Sequence, residues 1–170
     1  MEKINSLTGM TDLIETKADE NVLANKVFQT EKILKEIFTN YAMSEIRTPA
    51  LENTNLFKRS VGDTSDIVNK ELYTFSDKND KSITLRPEGT ASVMRSIIEK
   101  KLDGETHKLW YLGPMWRYER PQKGRYRQFN QAGIEILGYS EGASEFEMIS
   151  LVCELNRKLQ IRKPLIKINH

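Results

Sequence analysis

Basic side chains crowd one short stretch of the sequence, RYERPQKGRYR, at residues 117–127. It holds five Arg or Lys residues and a single acidic one, Glu119. A guanidinium presents a rigid fork of N–H donors that fits phosphate oxygens. Arg117 lies at a predicted strand end, and Arg125 lies in a loop that Gly124 makes flexible. We predict a polyphosphate site with one fixed arginine and a mobile cationic loop, and the alternative is a solvated basic hairpin tip.

Polar and apolar residues alternate along the stretch that follows, residues 128–137. This alternation predicts a strand with Gln131, Gly133 and Glu135 on one face. The glycine would leave a bare patch of sheet between polar walls, over which a small ligand could lie. Glu135 could accept a hydrogen bond from an ammonium or from an imidazole N–H. The alternative is that this face meets only water.

A second polar motif, LRPEGT, covers residues 85–90 at a predicted strand-to-helix junction. Pro87 would stiffen the bend, Gly89 would permit a close approach, and Thr90 is predicted to cap the helix. Glu88 would then face whatever the sheet binds, or would act as a partner of the helix dipole in the first turn. Capping explains Thr90 but leaves the rest of the motif unexplained.

The sequence carries no pattern typical of a protein-bound metal. His107 and His170 lack ligand spacing to another His, Cys or carboxylate cluster, so we predict no metal site. No Walker or Rossmann glycine signature is present. If ATP binds, arginines on a sheet would hold it, and Mg²⁺ would come with the nucleotide.

Periodicity and turn signals predict the elements that position these residues. Helices are predicted at residues 19–41, 53–61, 90–102 and 144–159. Strands are predicted at residues 44–52, 72–75, 82–85, 109–119 and 128–137, with another starting at 165. Pro49 makes the first of these an edge or bulged strand. Thr16 or Asp19 would cap the first helix, and Ser144 with Glu147 would form a capping box on the last.

The two longest strands are predicted to form an antiparallel hairpin around the basic loop. The fold class is therefore α+β, an antiparallel β-sheet with flanking helices. The predicted buried helix stripes are Leu23, Val27, Thr30, Leu34, Ile37, Phe38 and Tyr41, then Val93, Met94, Ile97, Ile98 and Leu102, then Met148, Leu151, Val152, Leu155 and Leu159.

Composition limits the class of protein. The 170 residues suffice for one domain with a sizeable core, and the net charge of +2 requires any nucleotide or nucleic-acid affinity to come from local clustering. The one cysteine, Cys153, excludes an intrachain disulfide, favours a reducing compartment and is predicted to be a buried thiol. With no apolar run of about 20 residues and no signal core, we expect a cytoplasmic protein and no membrane contact. The last strand pattern stops unfinished, so we expect a fragment of a longer protein.

Four motifs together resemble the class II aminoacyl-tRNA synthetases, and specifically the histidyl-tRNA synthetase family. GMTD at 9–12 is similar to the N-terminal signature of that family, and EIRTP at 45–49 to motif 1, here about 41–62. TLRPEGT at 84–90 is similar to the amino-acid loop. GPMWRYERP and GRYRQF, within about 109–138, are similar to motif 2. The resemblance implies a truncated class II catalytic core, a partial catalytic domain over residues 1–170 without motif 3 or the anticodon-binding domain.

The resemblance also implies roles for individual residues. Histidine would be bound by Glu88, Gly89, Thr90, Gln131 and Glu135. ATP would be bound by Arg117 at the α-phosphate, as the catalytic residue, by Glu119 near the adenine and by Arg125 at the outer phosphates. Arg120 and Gln122 would face the acceptor end of tRNA(His). The implied reaction is activation of histidine by ATP and Mg²⁺ to histidyl-adenylate, then transfer to tRNA, in a homodimer formed through the motif 1 region.

Two other interpretations remain open from the residues. One is a histidine-sensing regulatory paralogue of ATP phosphoribosyltransferase, which would not need Arg117, Arg125 and a tRNA-facing loop together. The other is a nucleic-acid-binding module that uses only the basic hairpin. That module would leave Glu88, Gln131 and Glu135 unexplained, and a net charge of +2 is low for it.

Overall fold

A computed structural model of the chain describes residues 3–15, 22–61, 70–140, 142–161 and 165–167. Its helices are α1 (Val22–Asn40), α2 (Thr54–Val61), α3 (Thr90–Glu99) and α4 (Ala143–Lys158). Its strands are β1 (Ser44–Glu45), β2 (Leu51–Asn53), β3 (Thr74–Ser76), β4 (Ser82–Leu85), β5 (His107–Trp116) and β6 (Gln128–Leu137). The candidate caps Thr16 and Asp19, His170 and the end of the last predicted strand lie outside the described residues. Residues 165–167 form no strand.

The described strands form two three-stranded sheets, ordered β1-β5-β6 and β2-β4-β3. β5 and β6 pair antiparallel along their full length, from His107 opposite Leu137 to Trp116 opposite Gln128. The predicted hairpin and the α+β class are therefore confirmed, although the short β1 runs parallel to β5. The single strand predicted at 44–52 is wrong. Pro49 lies between β1 and β2, which join different sheets, because proline cannot donate to a strand ladder.

The β5–β6 hairpin packs on both faces. The face toward α1 and α4, the α1 face, carries Trp110, Leu112, Ile134 and Ile136. The opposite face, toward α3 and called the α3 face below, carries Leu109, Tyr111, Met115, Phe129 and Leu137 beside Val93 and Ile97. Strand alternation puts Gln131, Gly133 and Glu135 on the α3 face, as the sequence predicted. A helix on each face fixes the hairpin, so its side chains are held in position.

The helix stripes predicted to be buried include several residues that the structure leaves exposed. Leu23 is 54% exposed and Ile98 is 61% exposed. On α4 only Leu151 is buried, whereas Met148 and Val152 are exposed. Cys153 is exposed, so the prediction of a buried thiol is wrong. Each helix is covered on one side only, and the residues at the edges of its apolar arc therefore stay in contact with solvent.

The start of α4 also differs from the predicted capping box. The N-cap is Gly142, with φ of 84°, and its N–H donates to Oε2 of Glu145 at 2.6 Å. Ser144 instead donates to the carbonyl of Ser140, and Glu147 accepts from Nζ of Lys108 at 2.7 Å. The predicted Ser144–Glu147 box is wrong because the helix begins earlier, after a glycine that adopts the left-handed conformation.

Candidate active site

The loop at residues 86–90 is fixed across the end of β5. The guanidinium of Arg86 donates from Nη1 to the carbonyl of Thr48 at 2.7 Å and from Nε to the carbonyl of Pro114 at 3.1 Å. The carbonyl of Arg86 in turn accepts the N–H of Trp116 at 3.1 Å. These bonds join the 86–90 loop to Thr48, which precedes β2, and to the C-terminal end of β5. The acidic residue of the loop is therefore held beside the α3 face.

The N-cap of α3 is Gly89, and the preceding residue, Glu88, rather than Thr90, accepts the first N–H groups of the helix. Its two carboxylate oxygens accept the N–H groups of Thr90 at 2.6 Å and of Ala91 at 2.9 Å. The Thr90 hydroxyl turns the other way and donates to Oε1 of Glu135 at 2.7 Å. The prediction of Thr90 as the cap is wrong because the helix already begins at Thr90, and the Glu88 carboxylate satisfies its first two N–H groups. The Thr90–Glu135 bond joins the 86–90 loop directly to β6.

The surroundings of Glu135 make this end of the site acidic. Burial raises the pKa of the Glu135 carboxyl, and the nearby negative charge of Glu88 raises it further. The hydrogen bond from Thr90 acts in the opposite direction by stabilising the charged form. Two carboxylates that repel each other favour a ligand group with positive charge or several N–H donors.

Tyr111 is a residue that the sequence analysis missed. A Cβ on Gly133 would lie 2.2 Å from the Tyr111 ring, and so would a Cβ on Gly89. The ring therefore occupies the space over Gly133, and the prediction of a bare patch of sheet there is wrong. Burial raises the pKa of the Tyr111 hydroxyl, and neighbouring Thr90 acts in the opposite direction. The hairpin register sets Tyr111 directly opposite Gly133, and this was the signal that could have found it.

Arg117 lies at the opposite end of the same face. Its Nε donates to the carbonyl of Pro87 at 3.0 Å, and its guanidinium carbon lies 5.2 Å from the centre of the Phe129 ring. Its backbone N–H donates to the carbonyl of Arg127 at 2.9 Å. Arg117 is thus held by its backbone and its side chain beside the 86–90 loop, as expected for a preorganised cation.

The basic loop brings two of the predicted nucleotide residues together. Nη1 of Arg125 lies 3.2 Å from Oε2 of Glu119, and Arg125 remains 63% exposed. Gln122 and Arg125 bond to each other across a tight turn, and Gly124 in that turn has φ of 82°. Arg120 and Gln122 are exposed on this loop. The loop therefore presents its guanidinium groups to solvent next to Arg117.

Gln131 lies between the two ends of the α3 face. Its amide oxygen is buried and has no hydrogen-bond partner among the residues described. A buried acceptor without a donor costs free energy, so this oxygen is a place for a ligand N–H. From Phe129 at the cationic end to Glu135 at the acidic end is about 20 Å along an extended strand. The α3 face therefore suits ligands that together place negative charge at the Arg117 end and positive charge at the Glu135 end.

Three further observations concern metal binding, His107 and membranes. Within the described ranges, His, Cys, Asp and Glu side chains form no group of three that could hold a metal ion. Nε2 of His107 is hydrogen-bonded with the carbonyl of Leu102 at 2.8 Å. Each helix among the residues that the structure describes is too short or too polar to cross a bilayer.

Comparison with known proteins assigns the family. A protein-family model described as "Histidyl-tRNA synthetase" matches residues 20–170. The chain belongs to the histidyl-tRNA synthetase family. It is 50% identical over 141 residues to a "Histidine--tRNA ligase" of Geobacter sulfurreducens, covering 82% of this chain and 34% of that protein. It is 45% identical to a "Histidine--tRNA ligase" of Prochlorococcus marinus, covering 99% of this chain and 38% of that protein.

Solved structures agree with this family. The apo histidyl-tRNA synthetase of S. aureus matches with a TM-score of 0.72 and 39% identity, covering 92% of this chain and 35% of that one. A structure from Bacillus halodurans, named as an ATP phosphoribosyltransferase regulatory subunit/histidyl-tRNA synthetase, matches with a TM-score of 0.73 at 21% identity, covering 94% of this chain and 40% of that one. That second likeness concerns the fold alone. The chain spans about a third of the length of these relatives.

Proposed function

We propose that this chain is the first part of the catalytic domain of a histidine–tRNA ligase, with motif 1 at about 41–62 and motif 2 at about 109–138. The full-length protein would use ATP to activate histidine and would then transfer it to tRNA(His). The observation that carries the proposal is the convergence of the 86–90 loop with both ends of the α3 face. Thr90 bonds to Glu135 at the acidic end, and Arg117 bonds to the carbonyl of Pro87 at the cationic end.

The acidic end would bind histidine. Both oxygens of Glu88 accept backbone N–H groups, but each carboxylate oxygen has more than one acceptor position, so an α-ammonium could still bind. Thr90 and Gln131 would complete the ammonium site, and Gly89 would contribute by letting the backbone of the 86–90 loop approach the Tyr111 ring closely. Glu135, in its buried position, would accept the imidazole N–H. Two mutually repelling carboxylates suit this donor-rich amino acid.

The cationic end would bind ATP. Arg117 would contact the α-phosphate, Arg125 the outer phosphates, and Glu119 would lie near the adenine. The Arg125–Glu119 ion pair would open to admit the nucleotide, which costs little because Arg125 is largely exposed. Mg²⁺ would arrive bound to the ATP phosphates and would neutralise part of their charge.

The chemistry is then an in-line displacement. The histidine carboxylate attacks the α-phosphorus, forming a P–O bond to give histidyl-adenylate, while the bond to pyrophosphate breaks. A ribose hydroxyl at the tRNA end then attacks the carbonyl carbon and releases AMP. Arg117 would stabilise the charge that develops on the α-phosphate, and the fixed 86–90 loop would align the carboxylate. Arg120 and Gln122 would guide the tRNA end from the exposed loop.

We also propose that this protein is cytoplasmic and that it forms a homodimer through the motif 1 region. The alternative function is that of a histidine-sensing regulatory paralogue. The fold likeness to the Bacillus halodurans structure keeps this alternative under consideration. A regulatory subunit would bind histidine but would not need the cationic end of the α3 face.

The test is ATP–pyrophosphate exchange by the full-length protein that carries this chain. We expect exchange that depends on histidine and does not occur with other amino acids. Tight histidine binding in calorimetry without any exchange would support the regulatory paralogue instead. RNA binding that is insensitive to both ATP and histidine would support the nucleic-acid-binding module.

A further inference from the structure

Gly9 joins the N-terminal segment to the start of β6 by hydrogen bonds. Its carbonyl accepts two backbone N–H groups, from Arg127 at 2.8 Å and from Gln128 at 3.1 Å. Gly9 lies inside a turn, which is closed by the N–H of Met10 donating to the carbonyl of Leu7 at 3.0 Å. Arg127 and Gln128 are the point where the basic loop returns to β6. Gly9 therefore anchors one end of the loop that the proposed function assigns to ATP.

Arg127 connects Gly9 to the cationic end of the site. Its carbonyl accepts the N–H of Arg117 at 2.9 Å, and its Nε donates to the carbonyl of Glu119 at 3.2 Å. Its guanidinium lies 4.2 Å from the centre of the Tyr118 ring, which fixes the side chain by a cation–π contact. One residue thus links Gly9 to the backbones of both Arg117 and Glu119.

Position 9 strongly favours glycine. Its φ is 79°, in the region that side chains disfavour, and a Cβ there would lie 3.0 Å from Cγ and 3.1 Å from the backbone N of Arg127. An added methyl would therefore strain the turn and push directly on Arg127.

We propose that Gly9 is a positioning residue for the nucleotide end of the site, so that the N-terminal segment helps to hold Arg117 and Glu119 in place for ATP. This inference rests on the proposed function. Its signature is a defect in ATP binding that leaves histidine binding intact, because the contacts of Gly9 lead to Arg117 and Glu119 and not to Glu88 or Glu135.

The first experiment measures amide hydrogen exchange without any ligand. In Gly9→Ala we expect the amides of Arg127, Gln128 and Arg117 to exchange faster, by roughly tenfold or more, as their local opening becomes easier. Gly104→Ala is the matched control, since a Cβ on Gly104 meets no atom within 4 Å. Unchanged protection of these amides in Gly9→Ala would overturn the anchor.

The second experiment measures binding by calorimetry on the full-length protein, with a non-hydrolysable ATP analogue and with histidine. We expect Gly9→Ala to weaken the analogue by roughly fivefold or more and to change histidine affinity by less than about twofold. Gly9→Asn, which tolerates positive φ but keeps the added Cβ, should fall between the wild type and Gly9→Ala. If Gly9→Ala does not fold, Gly9→Asn carries both comparisons.

The outcomes separate the two proposals. A wild-type protein that does not bind the analogue refutes the proposed function. A wild-type protein that binds it, with unchanged affinity in the Gly9 variants, refutes only the positioning role. An equal loss of affinity for the ATP analogue and for histidine also refutes that role, since it indicates a general loss of structure.

Discussion

The carboxylates of Glu88 and Glu135 determine what the acidic end of the α3 face can bind. Both are tied to the 86–90 loop and the start of α3, Glu88 through backbone N–H groups and Glu135 through the Thr90 hydroxyl. Because the Glu135 carboxyl is half-buried with a like charge nearby, its ionised form is disfavoured. A ligand that brings an ammonium and an imidazole N–H would relieve this repulsion, and this is the physical basis of the proposed histidine site.

Glu135→Gln should change how stability depends on pH. The folded-state pKa of Glu135 is raised above its ordinary value of 4.5, so the folded state binds this proton more tightly than the unfolded state. Below about pH 4 both states hold the proton and the group costs nothing, whereas the cost appears as pH rises through the folded pKa. We therefore expect Glu135→Gln to raise the melting temperature at pH 7 and to have little effect near pH 4. A shift of equal size at both pH values would contradict the raised pKa.

The contact between Tyr111 and Gly133 predicts a coupled pair of substitutions. Gly133→Ala should destabilise the fold by about 1–3 kcal/mol, because its methyl would overlap the Tyr111 ring. In a Tyr111→Ala background the same change should cost less than about 0.5 kcal/mol, since the ring is gone. Chemical denaturation of the four proteins measures this cycle. An equal cost of Gly133→Ala in both backgrounds would show that the ring is not the obstacle.

At the scale of elements, the β5–β6 hairpin and α3 were predictable because their periodicity is strong. Alternation over ten residues of β6 identified which side chains share the α3 face, and the hairpin confirms it. The Tyr111 ring over Gly133 was missed because it depends on which residues of two strands stand opposite each other. Thr90 was misassigned because a propensity for capping does not decide at which of several neighbouring polar residues the helix begins.

At the N-terminus of α4, too, the sequence alone did not identify the capping residues. Ser144 and Glu147 match the spacing of a capping box, but so does the pair that the structure uses, with Gly142 three residues before Glu145. Sequence spacing cannot choose between two overlapping registers, and the left-handed φ that glycine allows at 142 favours the earlier start. The exposure of Cys153 follows from which face of α4 meets α1, and that too depends on tertiary packing.

Glu145→Ala should therefore destabilise α4 more than Ser144→Ala. Loss of the Glu145 carboxylate removes the acceptor of the Gly142 N–H and should cost about 0.5–1.5 kcal/mol. Ser144→Ala removes only a hydroxyl bond to the carbonyl of Ser140 and should cost less than about 0.5 kcal/mol. Urea denaturation with the two variants side by side measures the difference. The reverse order would restore the capping box predicted from the sequence.

At the scale of the whole molecule, the chain would supply one face of the proposed site. It spans about a third of the length of its relatives, and within that third the α3 face already has a cationic end and an acidic end. The family follows from nearly the whole chain, because the match covers residues 20–170. A net charge of +2 means that anion binding must depend on the local guanidinium groups and not on the overall field of the protein.

The most direct test of this account is histidine-dependent ATP–pyrophosphate exchange by Arg117→Ala in the full-length protein, beside Arg157→Ala as a charge-matched control on the exposed end of α4. Loss of one preorganised cation at the reacting phosphate should lower the exchange rate by about 100-fold or more, and the melting temperature should stay close to that of the wild type. Arg157→Ala should exchange at the wild-type rate. An unchanged rate in Arg117→Ala would contradict the claim that the two ends of the α3 face form one site for histidine and ATP.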